Sequence, residues 1–497
     1  MASKTDADRA PWDAAPAHEQ LFVLITGANR VTAPELTFIL LPSGIGLGIG
    51  ERLIDEFLAT RSLTSHLILI PTTRSVIKST QTIQHLRAHA NKAARTSKAL
   101  VSRAGGPEKY NWEDTASRIH ILSPQLDLCD IKGIYAFAER LCDEPLSNPA
   151  GLQGQDAELQ NVRIPRLDSV ICNAAYGSWV GVNYPMAIWV IMTEGLINSV
   201  TWPTFKIPKP TALLNGRPIY NYPAKPKLGE VFCACVFGHY LLSRKLLPLL
   251  TRPKTSESLV APGRIIWSSS IEAHRDVFNP DDIQGLLREH PYESAKRLTD
   301  YISLSYNLPA VEDFKESFLS LDEDENPDEK IQPEMYLTHP GIVANDFFPV
   351  PWYLMWAYRL AIVVSRWLGS PWHTIDSYTG AKSAAWLALQ GQEELDDAEA
   401  DRVKWGSASD GRLRALIKKT EVEGWGWTGR VEGPEADDAA AAGEEGIVGI
   451  LRRSVGRRRD AADPTAESLA EFEEVGADVW EQLEELREEW EEILEIS

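Results

Sequence analysis

Residues 21–30 read LFVLITGANR and residues 43–50 read SGIGLGIG. The first stretch is an apolar, β-rich run over residues 21–25, of the kind that becomes a buried strand, and it leads straight into Thr26-Gly27-Ala28-Asn29. The second opens a helical pattern that continues over residues 50–63. Strand, glycine loop and helix in that order make a pyrophosphate site, because glycines let the backbone turn tightly and the amide end of the helix faces the phosphates. Between the two halves lies VTAPELTFILLP. Removing thirteen residues, either 30–42 or 31–43, regenerates TGAN(S or R)GIGLG, a TGxxxGxG loop with Gly27, Asn29, Gly44, Ile45 and Gly46 as its cofactor-binding candidates. An apolar segment at that point disrupts the amide geometry a phosphate loop provides. We read this insert, about residues 30–43, as a short in-frame intron carried into the translated sequence.

Working outward, short apolar runs at residues 66–70, 119–122, 168–172 and 264–267 alternate with helical patterns at 77–98, 131–142 and 228–250. That alternation predicts a doubly wound α/β domain, a parallel sheet covered on both faces. Residues 181–226, rich in Trp, Pro and Asn, break the rhythm and read as a long excursion over the sheet edge. Composition changes again near residue 424. Residues 464–496 are dense in Glu and Leu with Trp480 and Trp490, and Pro464-Thr465 suits the start of an amphipathic helix. A helix packed on the domain and a partner-binding helix fit that pattern equally. The expected organisation is therefore a flexible 1–19, a dinucleotide-binding domain over 20–423, and an acidic extension over 424–497.

The chain has 497 residues, 44% hydrophobic and 24% charged, with a formal charge of -21. Such composition is that of a globular protein, and the sign argues against a general affinity for nucleic acid. Residues 421–497 hold 23 acids and 7 bases, a net of -16, which leaves -5 for the first 420 residues. Five cysteines form no CxxC pair and no ligand set with histidine, so neither a metal site nor a disulfide framework is expected, and a reducing compartment fits. Residues 1–20 are polar and lack the apolar stretch of a secretory signal.

Charge at the end of the second strand selects the cofactor, since a carboxylate there accepts the ribose hydroxyls of NAD and an arginine accommodates the extra phosphate of NADP. The strand ends Ile70-Pro71-Thr72-Thr73-Arg74, with no acid, which favours NADPH; a solvated surface arginine is the plainer reading. Further on, Tyr292-Glu293-Ser294-Ala295-Lys296 places a phenol and an ammonium on one helical face. A phenol titrates near pH ~10 and needs a nearby cation to exchange a proton near neutrality. YxxxK recurs by chance, but this copy follows RIIWSSS, residues 264–270, a strand running into a serine cluster whose hydroxyls are suited to hydrogen-bond a substrate carbonyl.

With TGAN and GIGLG, Asp127-Leu128, Cys172-Asn173-Ala174-Ala175, Ser270, Tyr292 to Lys296 and His339-Pro340-Gly341-Ile342-Val343 in place, the chain resembles the short-chain dehydrogenase/reductase superfamily over about residues 20–420. RIIWSSSIEA, PYESAKRLTD, THPGIV, KWGS and TEVEGWGW are similar to the fungal 3-keto-steroid reductases of ergosterol biosynthesis. The resemblance implies a Rossmann-type fold and NADPH-dependent reduction of a sterol 3-ketone during removal of the methyl groups at carbon 4. It implies that Ser270 polarises the ketone, with Ser269 as the fallback for that role, that Tyr292 protonates the alkoxide, and that Lys296 lowers the tyrosine pKa and binds the nicotinamide ribose. Asp127, Asn173 and Ala174 then lie on the adenosine side, and Pro340, Gly341 and Ile342 flank the nicotinamide. Two positions depart from the pattern: Cys235 stands where the family usually carries Asn, and a thiol lacks the amide's donors and acceptors, while Ala175 stands where Gly is commoner.

Residues 347–368 read FFPVPWYLMWAYRLAIVVSRWL, interrupted by Pro349, Pro351 and Arg359 and so unsuited to crossing a bilayer. Arg359 and Arg366 are seven apart, and Trp352, Trp356, Tyr358 and Trp367 are interfacial residue types. A segment over about 347–370 lying in a bilayer surface and admitting a lipid is the expectation, with a buried core helix as the alternative. The resemblance implies the cytosolic face of the endoplasmic reticulum membrane or of lipid droplets, and the other sterol demethylation enzymes as partners. A reductase of other lipid carbonyls, or a catalytically weak scaffold docked through the C-terminal helix, are the competing readings. The spliced transcript is expected to lack the thirteen codons; a message retaining all of them overturns the intron reading.

Overall fold

The computed structural model of the protein describes residues 10–28, 44–254, 261–320, 330–344, 350–351, 353–431, 456–458 and 461–496. Asn29, the insert at 30–43, residues 347–349 and Trp352 lie outside the described residues.

Eight strands form one sheet: β1 (Gln20–Ile25), β2 (His66–Pro71), β3 (Ile119–Ile121), β4 (Ser169–Cys172), β5 (Arg264–Ser268), β6 (Glu334–His339), β7 (Lys404–Ser409) and β8 (Ala415–Thr420). Their order across the sheet is β8-β7-β6-β5-β4-β1-β2-β3, parallel throughout except for β8, which returns antiparallel to β7. Parallel neighbours require crossovers, and helices supply them. On one face lie α1 (Ile45–Thr60) and α2 (Val76–Thr96), and on the other α3 (Ile131–Asp143). The chain then makes an excursion bearing α4 (Tyr184–Glu194). It is followed by α5, which runs through Glu230–Phe232, a π-helical Cys233–Phe237 and Gly238–Lys245. Beyond it come α6 (Pro291–Ser305), α7 (Met355–Trp367), α8 (Lys382–Leu389) and α9 (Ala466–Leu494).

The central strands carry apolar residues toward both faces, which is why their sequences are continuous apolar runs. Phe22, Leu24, Ile68, Val170, Ile265 and Trp267 enter the core beneath α3, α5 and α6, while Val23, Ile25, Leu67, Ile171 and Ile266 enter the core beneath α1, α2 and α8. This doubly wound, Rossmann-type sheet reverses its strand order between β1 and β4. The crevice above their C-terminal ends is where such sheets bind ligands.

Strands β6, β7 and β8 were not among the strands read from sequence. Lys404–Ser409 reads KWGSAS and Ala415–Thr420 reads ALIKKT, too polar to signal burial, yet all of β7 is buried because β6, β8 and α8 cover it. The excursion holds a two-stranded ribbon, Trp179–Val182 with Lys206–Pro208, that spans α4 and a short helix, Leu196–Thr201.

The C-terminal helix α9 is packed on the domain. Thr465 caps it, its hydroxyl accepting from Ser468 N at 3.1 Å. Phe472, Val479, Trp480, Leu483 and Trp490 are buried in the same core as α5 and α6. Trp480 meets Tyr240, Tyr306 and Phe318 edge-on or tilted at 5.6–6.0 Å. Beneath it Glu484 is paired with Arg487 at 2.8 Å and accepts from Ser317 Oγ and Tyr240 OH. Trp480→Ala is expected to cost about 3–5 kcal/mol of stability, the range for emptying a core tryptophan site, read as a fall in the urea midpoint.

Candidate active site

The site begins with a close approach of three backbones. Gly27 ends β1 at φ +67°, and a Cβ there would fall 2.8 Å from Ala174 Cβ. A Cβ on Gly46, in the first turn of α1, would fall 2.7 Å from Asn173 Nδ2 and 2.8 Å from Gly27 O. Thr26 fixes that approach: its hydroxyl accepts from the amides of Asn173 and Ala174 at 2.9 and 3.0 Å, and Asn173 Nδ2 donates to Thr26 O at 2.9 Å. The same hydroxyl meets His239 Nε2 at 2.8 Å, while His239 Nδ1 lies 3.1 Å from Cys235 O. Burial pushes His239 down to about 3, so the ring is neutral. With Nδ1–H donating to the carbonyl, Nε2 accepts from Thr26. Sequence reasoning missed His239, since a histidine inside an apolar helix carries no distinguishing signal.

Above this junction is a cavity of about 410 Å³. Gly27, Gly44, Ile45, Arg74, Asp127, Asn173, Ala174, Tyr292, Lys296 and Pro340 all line it. Gly46 sits one layer behind. Gly341 and Ile342 do not face the cavity: Gly341 turns at φ +68° and Ile342 N donates to Trp372 O at 2.7 Å, which carries the chain away along residues 372–375. Of that motif Pro340 alone lines the wall. Arg74 is exposed at the end of β2 and, among the described residues, no ion pair holds it. Asp127 accepts from Cys129 N at 3.0 Å and from Tyr220 OH at 3.1 Å. This cradle, a cavity floored by the close junction of Gly27, Gly46 and Asn173 and carrying the exposed Arg74 guanidinium at its rim, fits a nicotinamide dinucleotide.

Pro291 starts α6, a position where a missing amide costs nothing, and one turn separates Tyr292 from Lys296. Lys296 Nζ donates to Ser268 O at 2.6 Å and lies 5.7 Å from the centre of the Tyr292 ring. Ser270 hydrogen-bonds Tyr292 and accepts from Glu272 N at 3.1 Å. Ser269, the fallback serine, lines the cavity while Ser270 does not, but its hydroxyl is committed to Asp300 and lies 3.2 Å from Lys296 O. Burial is the main cause raising Tyr292 well above its ordinary value; Cys235, Glu272 and Glu293 add to it, and the Ser270 hydrogen bond opposes it. Burial likewise lowers Lys296. The expected lowering of the phenol by Lys296 is thus outweighed here, and Tyr292 stands protonated at neutral pH.

The outer wall differs from expectation at Arg366 and Tyr358. Tyr358 faces Glu272, and burial raises its phenol. Arg366 is turned inward and buried and Arg359, seven residues earlier on the same helical face, is half-buried, because α7 packs on Leu196–Thr201 and buries Ile362, Ser365 and Arg366 on that side. Its outward side presents Trp356, Leu360 and Trp367, each more than half exposed, and α4 presents Ile188, Trp189 and Met192 likewise.

No family model matches the chain. A 3-keto-steroid reductase, ERG27, of Gibberella zeae is 57% identical over 497 residues, covering 100% of this chain and 99% of that one. The 3-keto-steroid reductase erg27 of Aspergillus fumigatus is 37% identical over 489 residues, 96% and 95% of the two chains. The chain belongs to the 3-keto-steroid reductases. Among solved structures, an NADPH-bound carbonyl reductase from chicken fatty liver is 15% identical with a TM-score of 0.35, over 80% of this chain and 98% of that one. A metagenomic short-chain oxidoreductase in complex with NADP is 17% identical with a TM-score of 0.31, over 76% and 92%.

In this 3-keto-steroid reductase Cys235 falls in the π-helical turn of α5 and accepts from Tyr176 N at 3.4 Å. Burial raises its thiol, so it remains uncharged behind Lys296. Ala175 lines the cavity beside Tyr176. Gly46→Ala is expected to raise the Kd for a nicotinamide cofactor at least about tenfold, because a contact near 2.7 Å to Asn173 forces the loop apart; calorimetric titration measures it.

Proposed function

We propose that this chain reduces the 3-ketone of a sterol to the 3β-hydroxyl with NADPH, in the stage of ergosterol biosynthesis that removes the methyl groups at carbon 4. The observation that carries the reading is that Tyr292 and Lys296 line one cavity, with Ser270 hydrogen-bonded to Tyr292, in a chain of this family. When bound, NADPH supplies a hydride to the carbonyl carbon. Ser270 and Tyr292 direct hydroxyls at the carbonyl oxygen, and Tyr292 gives its proton to that oxygen as negative charge develops there. Lys296, anchored on Ser268 O, keeps a positive charge under the phenol and offers donors to the nicotinamide ribose. Asn173 and Ala174 hold the loop, Asp127 faces the adenine side, and Arg74 receives the 2′-phosphate that distinguishes NADPH from NADH.

The reading extends to a membrane surface on the cytosolic face of the endoplasmic reticulum or of lipid droplets, alongside the other C-4 demethylation enzymes. No helix among the described residues is long and apolar enough to cross a membrane. Exposed Trp356 and Trp367 on α7, with Trp189 and Met192 on α4, support attachment in the interface.

NADPH oxidation with a 4-methyl-3-ketosterol tests the chemistry. Tyr292→Phe is expected to lower turnover at least about 10²-fold, the contribution of a positioned acid; wild-type turnover in that variant overturns the mechanism. Arg74→Ala is expected to raise KM for NADPH about tenfold while leaving that for NADH unchanged. Co-sedimentation of the full-length protein with phosphatidylcholine vesicles is expected to fall for the Trp189→Ser, Trp356→Ser pair.

A further inference from the structure

Outside the residues described above, a buried ion cluster adjoins Tyr292. Lys206, on the inner strand of the excursion ribbon, is only 4% exposed at its side chain. Its Nζ donates to Glu293 Oε1 at 2.6 Å and also to Glu272 Oε2. The ammonium lies 4.1 Å from the centre of the Trp179 ring, whose Nε1 donates to the same Glu293 oxygen at 3.1 Å. That ring packs edge-on against Tyr292 with centroids 4.8 Å apart. Glu293 directly follows Tyr292 on α6, and its Oε2 is buried without a hydrogen-bond partner. Trp179 and Lys206 stand on the paired strands of one ribbon, so the whole excursion is fastened to the tyrosine helix at this cluster.

Two carboxylates beside a buried phenol oppose its ionisation, and an ammonium between them offsets one of the two charges. Leaving them unpaired in a dry site costs far more than the pair gains over neutral packing, so the three groups act as a unit. We propose that Lys206 is a positioning residue for the proton transfer: its ammonium offsets Glu272 and Glu293 and holds Trp179 against Tyr292. The excursion thereby sets both the orientation of the phenol and the ease with which it gives up its proton. This rests on the reductase reading above. The groups that face Tyr292 are Glu293 and Lys296 from α6, Cys235 from α5, and Ser270 and Glu272 from the loop after β5. Around the cluster, His290 lies 3.9 Å from Glu293, and Tyr358 and His274 sense Glu272 and Lys206 respectively.

Oxidation of the 3β-hydroxysterol with NADP+ needs the phenolate as base, so its rate rises with pH through the ionisation of Tyr292. In the full-length enzyme Glu272→Gln removes one negative charge and is expected to move the midpoint of that rise about one unit to lower pH. Lys206→Met leaves both carboxylates unpaired and is expected to move it a similar amount to higher pH, while Lys206→Arg holds the wild-type position. The double variant Lys206→Met, Glu272→Gln restores the net charge and is expected to return the midpoint to wild type. A purely structural latch lowers the melting temperature of these variants and leaves the midpoints in place. An unmoved midpoint in Glu272→Gln, which needs no Lys206 variant to fold, therefore overturns the proposal. Turnover with unmoved midpoints overturns it alone, whereas a wild-type protein inactive in both directions overturns the reductase reading and the proposal with it.

Discussion

The Thr26 hydroxyl joins the ends of β1 and β4, and every wall of the cavity is placed by reference to that junction. Three polar groups converge on one oxygen: two amides of the β4 loop donate to it, and the neutral ring of His239 accepts its hydrogen bond. A single oxygen with one proton and two lone pairs is thereby saturated. The consequence is a pair of loop backbones close enough that Gly27 and Gly46 have no room for a Cβ. Because His239 is on α5, the same bond also ties the phosphate loop to the helix that carries Cys235 behind Lys296.

The charge of the chain is distributed in keeping with this division of labour. Residues 421–497 account for -16 of the -21, but the acidic helix α9 is not free of the domain. Its tryptophans fill the core behind α5 and α6, and its one buried ion pair, Glu484 with Arg487, is satisfied by Tyr240 and Ser317 from the domain. Glu491, one turn on from Arg487, pairs with it as well and accepts from Tyr135 OH. Net charge thus says little about the cavity, whose rim carries the exposed Arg74.

The central sheet was legible because β1, β2, β4 and β5 are buried on both faces and so read as apolar runs. Strand β7 was not, because its burial comes from neighbours distant in sequence and leaves no pattern in KWGSAS, and β8, ALIKKT, is an edge strand in which Thr420 is the one buried residue. The same distinction holds at the site. Glycine loops, Ser270, Tyr292 and Lys296 follow spacing rules that local geometry imposes. Lys206, Glu272 and Trp179 meet Tyr292 only through tertiary packing of an excursion whose sequence resembles no motif. Gly341 and Ile342 failed for the opposite reason: adjacent to Pro340 in sequence, they are drawn away by hydrogen bonds to residues 372–375. Arg366 illustrates how a helical face read from spacing depends on which neighbour occupies it, here Leu196–Thr201.

Burial of the acid suits the direction of the chemistry. A ketone reductase needs its tyrosine protonated before hydride arrives and able to release that proton only as alkoxide forms. Dry surroundings with carboxylates nearby keep the phenol neutral in the resting site. The alkoxide is a far stronger base than any phenolate, so transfer at the moment of reaction remains downhill, and the hydrogen bond from Ser270 lowers the barrier by stabilising the anion that appears. A phenol lowered to neutrality would instead spend part of its time ionised and unable to donate. In this arrangement Lys296, 5.7 Å from the ring centre, and Lys206, which offsets Glu272 and Glu293, are the cations placed against the two acids, one reached by the sequence pattern and one only by the fold.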